Sequence, residues 1–196
     1  MALDLLRKVA VEYNKLIGKE IEFTLGHKNR KSVVTVMFTP SDFHHLAGLH
    51  KLTDIQAVYK QSAEIVFNKI VAGEICLGDI NRSVYFAKIE ERLEILSQIN
   101  DIFTRGNLVF KYICMEIKSK ITWKYLLKFK MNEKDTGYLF LDECRREPNK
   151  YICVTDFKKE KFCYERGQMK LKLLQTKLIN GEDEQVIYLS NSYIKK

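Results

Sequence analysis

Proline and glycine are scarce in this chain. Its 196 residues include two prolines and nine glycines, too few for a long flexible or proline-stiffened linker. No apolar run is long enough to cross a bilayer. The five cysteines, Cys76, Cys114, Cys144, Cys153 and Cys163, are odd in number and contain no C-x-x-C pair. They signal neither a disulfide framework nor a zinc knuckle. Cys114, Cys153 and Cys163 fall in strand-like runs and read as small core residues. Gly73 and Gly78 stand alone rather than in a phosphate-cradling loop, so no nucleotide cofactor is indicated. Acidic residues are outnumbered: 33 Lys and Arg against 25 Asp and Glu give a net charge of +8. That excess favours an anionic partner, with nucleic acid the first candidate. Asp4, Arg7 and Lys8 interrupt the apolar pattern of the N-terminus, which excludes a signal peptide there. A cytoplasmic protein with reduced cysteines and no membrane partner is expected.

Leu3, Leu6, Val9, Tyr13 and Leu16 recur at helical spacing, and Gly18 closes that helix. Residues 20–25 and 31–38 alternate around a turn and predict a hairpin. Thr53 and Asp54 can cap a helix over 54–72, and a second long helix is predicted over 84–103. Beyond Gly106 the period changes to two. Trp123, Tyr125, Leu127, Phe129 and Met131 alternate with Lys124, Leu126, Lys128 and Lys130, the clearest strand in the chain. Further strands are predicted at 108–118, 137–143, 150–156, 161–165, 168–178 and 185–189. Helices early and a meander late give an α+β fold, with N-terminal helices packed on a C-terminal antiparallel sheet. No linker interrupts the pattern, so residues 1–196 read as one domain.

Between the hairpin and the first long helix lies a stretch that gathers chemistry. Pro40 stops the strand, Ser41 and Asp42 are good helix caps, and His44, His45, His50 and Lys51 follow among apolar anchors. Histidine exchanges protons near neutral pH. His45 and His50 are five residues apart, not the i, i+4 pairing of helical metal sites, and no carboxylate stands at ligand spacing. No metal and no cofactor are therefore expected. His44 falls beside the apolar side of Phe43 and Leu46 and is expected to face solvent.

The run Phe43-His-His-Leu-Ala-Gly-Leu-His-Lys-Leu-Thr-Asp-Ile resembles the F-x-H-L-x-G-L-H-K-L-x-D-I signature of the phage-Barnase-EndoU-Colicin-RelE-like nuclease family. Later blocks are similar in order: Ile80 to Ser83, Ile89 with Arg92 and Leu93, Tyr138 to Leu141, Tyr151 to Val154, then Tyr164 and Gln168. The resemblance covers the chain after its first helix. It implies a BECR-like nuclease fold and a metal-independent endoribonuclease of phage or prophage origin. Such an enzyme cuts tRNA or single-stranded RNA by 2′-hydroxyl attack and acts as a toxin. A neutralising antitoxin or a host protein is an implied partner. The resemblance assigns His45 or His50 as acid or base, Lys51 and Arg92 to the phosphate, and Tyr164 to its positioning. Ser83, Thr155 and Gln168 would contact substrate, and the basic face of Lys124 and Lys128 would add phosphate contacts. The sequence departs from the pattern at Thr155-Asp156-Phe157, where a serine and two aromatics are expected. Asp156 would place a negative charge where an RNA phosphate lies.

Each residue also has a plain reading. His45 can be a capping or core histidine. Arg92 sits beside the stripe of Ile89 and Leu96 and can lie over the core. Tyr164 can be a cross-strand aromatic, Gln168 can satisfy a turn, and the lysines, with Lys170 and Lys172, can merely protect a sheet surface. A catalytically inactive RNA- or protein-binding module on the same scaffold, such as a phage inhibitor of a host system, is the alternative function.

Overall fold

The computed structural model describes residues 4–113 and 120–194. The chain folds into two compact units, Met1–Ile17 with Thr39–Asn100, and Gly18–Phe38 with Asp101–Lys196. The protein is α+β, with its helices concentrated toward the N-terminus and a mostly antiparallel sheet.

The first unit is helical. It contains α1 (Leu5–Asn14), α2 (Pro40–Leu46), α3 (Gln56–Tyr59), α4 (Ala63–Ala72), α5 (Leu77–Ile80) and α6 (Glu90–Leu96), and α7 (Ile99–Thr104) begins at its end. The helical stripe of α1 buries Leu6, Val9, Ala10 and Tyr13. Tyr13 packs on Phe43 of α2 and Phe67 of α4, with ring centroids 5.3 and 6.1 Å away, and Phe43 lies 5.0 Å from Phe67. Full burial of each such ring is worth about 1.5–3 kcal/mol. This aromatic trio anchors the start of the histidine stretch. The predicted helix over 54–72 is two helices, because Ser62 caps a new one by accepting from the Ile65 N–H at 3.3 Å. The helix predicted over 84–103 is likewise divided into a 3-10 turn, α6 and α7. Ser97 ends α6, and its hydroxyl donates to the Glu94 carbonyl at 2.7 Å.

The second unit is built on the sheet. The strands are β1 (Glu20–His27), β2 (Arg30–Met37), β3 (Leu108–Lys111), β4 (Tyr125–Lys130), β5 (Thr136–Glu143), β6 (Lys150–Lys158), β7 (Met169–Asn180) and β8 (Asp183–Leu189). Among the described residues they follow the order β1-β2-β6-β5-β4-β3-β7-β8, and β7 also pairs with β1. Seven strands thus close into a ring and β8 lies outside it. All pairings are antiparallel except the short β2–β6 pairing from Thr35 to Met37. The predicted hairpin is present, with a two-residue turn in which Lys28 takes φ 44°.

The alternation of Tyr125, Leu127 and Phe129 buries one face of β4, as the pattern predicts. Leu126 is also fully buried, because the other face carries a second core of Phe110, Trp123, Tyr138 and Phe140. Phe157 and Tyr164 pack against it. Two sequence expectations fail here. Residues 161–165 form a loop and turn, not a strand, and Cys163 within it is exposed rather than a core residue. Of the strand predicted over 108–118, Leu108–Lys111 is present, and residues 114–118, Cys114 among them, lie outside the described residues. No helix of the described residues is long and apolar enough to cross a membrane.

Candidate active site

The histidine stretch is shaped by its caps. Thr39 and Asp42 form a reciprocal capping box on α2: the Asp42 N–H donates to Thr39 Oγ1 and the Thr39 N–H donates to Asp42 Oδ2 at 3.1 Å. Pro40 fills the first turn, where a missing N–H costs nothing. Gly48 then turns the chain with φ 70° and ψ 14°, which leads into a 3-10 turn of Leu49, His50 and Lys51. A Cβ on Gly48 would lie 2.8 Å from Ile89 Cγ2 and 2.9 Å from Arg92 Cδ. Only glycine meets both the left-handed backbone and this close approach.

As a result, His45, His50, Lys51 and Arg92 come together in the first unit. The His45 and His50 rings lie 5.0 Å apart between centroids, inclined at 41°. Both histidines are exposed. Arg92 reaches the same turn and donates from Nη1 to the Leu46 carbonyl at 3.3 Å. Crowding by protein atoms holds the His50 pKa below the ordinary imidazole value, and the charges of His45, Lys51 and Arg92 act in the same direction. A hydrogen bond to the His44 backbone works against them. The effect favours a neutral His50 at neutral pH.

His44 differs from its expectation. It does not face solvent freely: it is half-buried, and its Nδ1 is buried with no hydrogen-bond partner among the described residues. Burial, followed by the charges of His45 and His50, lowers its pKa to about 4. The position assigned to solvent by sequence is thus partly covered on folding.

The other candidates have local partners of their own. Ser83 is buried, and its hydroxyl donates to Asp54 Oδ1 at 2.6 Å. Asp54 also accepts from the Val84 N–H at 3.0 Å, and these bonds, that of Ser83 foremost, lower its pKa. Ser83 thus holds a turn together. In the second unit, Tyr164 packs edge-on against Phe140 and Phe162, at 5.1 and 4.4 Å. Gln168 Oε1 accepts from the Ile113 N–H at 2.8 Å. Lys124 pairs with Glu143 at 3.6 Å. Thr155 lies on β6 opposite Phe140. Asp156 does not present its charge to solvent, because it is 0% exposed.

Lys128 belongs to an ionic centre that the sequence reading missed. Lys128 and Lys159 donate to Glu165 Oε1 at 2.6 and 2.8 Å, and the Tyr138 hydroxyl donates to Oε2. Lys128 and Tyr138 are direct cross-strand partners, so Glu165 descends from the loop onto both. Burial alone would raise the Glu165 pKa, but the two ammonium groups and the phenol outweigh it and hold the carboxyl at about 2. The same hydrogen bond, after burial, pushes the Tyr138 phenol up. The only sequence signal was a pair of carboxylates, Glu160 and Glu165, set among Lys159, Lys161 and Arg166.

Two imidazoles and two cations can exchange protons and hold a phosphate. Among the described residues, no group of three or more His, Cys, Asp or Glu side chains is arranged to hold a metal ion. No curated protein and no solved structure matches the chain. One family model matches residues 5–192, nearly the whole length. The chain belongs to that family, PBECR4, the phage-Barnase-EndoU-ColicinE5/D-RelE like nuclease4 family.

Proposed function

We propose that this nuclease-family protein is a metal-independent endoribonuclease acting on single-stranded RNA or tRNA. The observation that carries the reading is the pairing of His45 and His50, 5.0 Å apart, with Lys51 beside His50 and Arg92 at the same turn. Such a reaction needs one group to take a proton and another to give one. His50, kept neutral, takes the proton of the 2′-hydroxyl. The 2′-oxygen bonds to phosphorus, the bond from phosphorus to the 5′-oxygen breaks, and His45 protonates that leaving oxygen. The products are a 2′,3′-cyclic phosphate and a 5′-hydroxyl. Lys51 and Arg92 balance the charge that develops on the phosphoryl oxygens. A toxin of phage or prophage origin, held in check by a neutralising protein, is the role that fits this chemistry.

The test is incubation with total tRNA and a single-stranded RNA in the presence of EDTA. The His45→Ala and His50→Ala variants are expected to lose about 10²–10⁴-fold in rate. The kcat/KM of the parent rises with pH through a midpoint below 6.5, the ordinary imidazole value from which His50 is lowered. RNA left intact by the parent, or cut equally by both variants, overturns the reading.

A further inference from the structure

The regular alternation of lysines in β4 and β7 suggested one basic face, but the structure divides it. Lys128 is engaged by Glu165, and Lys124 by Glu143. Elsewhere in the second unit, Lys150 lies between Glu20 and Glu147, and Lys177 pairs with Glu184. Lys28, Lys170 and Lys172 are different: among the described residues none of them meets a carboxylate.

These three lysines border an open basin of about 550 Å³ between the β1–β2 turn and the start of β7. His27 is the fourth basic group of the lining, the Asn107 amide and the Tyr188 hydroxyl add polar atoms, and no Asp or Glu lines it. Lys170 and Lys172 are exposed on one side of β7, while Leu171 and Leu173 between and beyond them are buried. Two positions apart on a strand, they are roughly 7 Å from each other along the chain, a spacing that suits consecutive phosphates of one strand. The turn holds Lys28 in its left-handed conformation. The His27 ring is 3.4 Å from the Lys170 carbonyl, which ties turn to strand. Gly106 lets the backbone pass the Tyr188 phenol, since a Cβ there would lie 2.6 Å from its oxygen.

We propose that this basin binds the phosphodiester backbone of single-stranded RNA, seating two or three consecutive phosphates on Lys28, Lys170 and Lys172. It supplies affinity and takes no part in bond cleavage. The proposal rests on the nucleic-acid reading of the protein. A basin of this size admits one flexible backbone, whereas a stiff duplex meets it only at the rim.

The experiment uses the full chain carrying His45→Ala and His50→Ala, so that RNA survives the titration. Binding of a fluorescein-labelled single-stranded RNA is followed by anisotropy from 50 to 300 mM KCl. Added Lys28→Gln, Lys170→Gln and Lys172→Gln substitutions are expected to weaken binding at least tenfold near 100 mM salt. The slope of log affinity against log salt should shrink by about 2, at roughly 0.7 for each phosphate no longer neutralised. A control with Lys120→Gln, Lys134→Gln and Lys161→Gln carries the same charge change and should stay within a factor of two. Equal losses in both triple variants, no RNA affinity in the parent, or duplex RNA responding as the single strand does would each overturn the proposal. Cleavage by the chain with its histidines intact is scored separately. Basin-dependent binding in a chain that cuts nothing keeps the basin and removes the nuclease. Cleavage with unaltered binding does the reverse.

Discussion

Replacing Gly48 with alanine separates two costs that the histidine turn combines. The first is conformational, since a left-handed backbone costs a non-glycine residue about 1–2 kcal/mol. Gly18→Ala provides the reference for it, because Gly18 has φ 77° and nothing within 4 Å of an added Cβ. The second is steric. At Gly48 the new methyl would stand 2.8 Å from Ile89 and 2.9 Å from Arg92. Overpacking of this kind costs a further 1–3 kcal/mol or so. Stiffening of the unfolded chain is common to both variants and cancels in the comparison. Urea titration should therefore show Gly48→Ala losing about 2–5 kcal/mol, at least about 1 kcal/mol more than Gly18→Ala. In a double-mutant cycle, Arg92→Ala removes one of the two obstructing atoms and should recover part of the difference, with a coupling of about 0.5–1 kcal/mol. Because the methyl displaces Arg92, RNA cleavage should fall on the order of tenfold or more even where the variant is fully folded. Equal losses in the two glycine variants, within about 0.5 kcal/mol, would refute the close-approach argument.

Two further outcomes concern titration. The Glu165 carboxyl is held at about 2 in the folded protein against an ordinary value of 4.5, so its contribution is present above pH 4.5 and is lost as pH falls toward 2. Glu165→Gln should lower stability at pH 7 by about 1–2 kcal/mol, after allowance for solvent screening, and should flatten the acid limb of the stability curve. An unchanged limb would rule out the Glu165 centre as its source. His44 has the same sign for another reason. It stays neutral in the fold down to about pH 4 but protonates near 6.5 when unfolded. Stability therefore declines as pH drops from 6.5 toward 4, and His44→Gln should remove about 1 kcal/mol of that decline. Proton NMR of the folded protein checks this directly, and a His44 midpoint near 6.5 would contradict it.

The local part of the architecture was legible from the sequence. The β1–β2 hairpin and β4 follow from period-two alternation, and α1 from its helical stripe closed by Gly18, because each is decided by neighbours in the chain. The histidine stretch was legible in its contiguous apolar anchors, but its cap is Thr39, with Asp42 at the third helical position, rather than Ser41 or Asp42. What failed depended on distant partners. The alternation of Phe162 and Tyr164 imitates a strand, yet both rings belong to a loop drawn onto β4 and β5 by Glu165. Lys128 looked like part of a basic face because the carboxylate that engages it lies 37 residues away. His44 was assigned to solvent from its immediate neighbours, and tertiary packing buries it partly. The division of the two long helices at Ser62 and Ser97 is a local effect of side-chain hydroxyls, which apolar periodicity does not register.

The ring of strands also sets a timetable for the newborn chain. Glu20 pairs with Ile179 and Gly26 with Lys172, so the hairpin leaves the ribosome long before the strand that closes it exists. At roughly 5–20 residues per second, translation leaves the waiting edge of β1 open for several seconds or more. A strand edge in that state is a template for the wrong partner. Closure of this kind comes late, and the ring stays incomplete until β7 has been made.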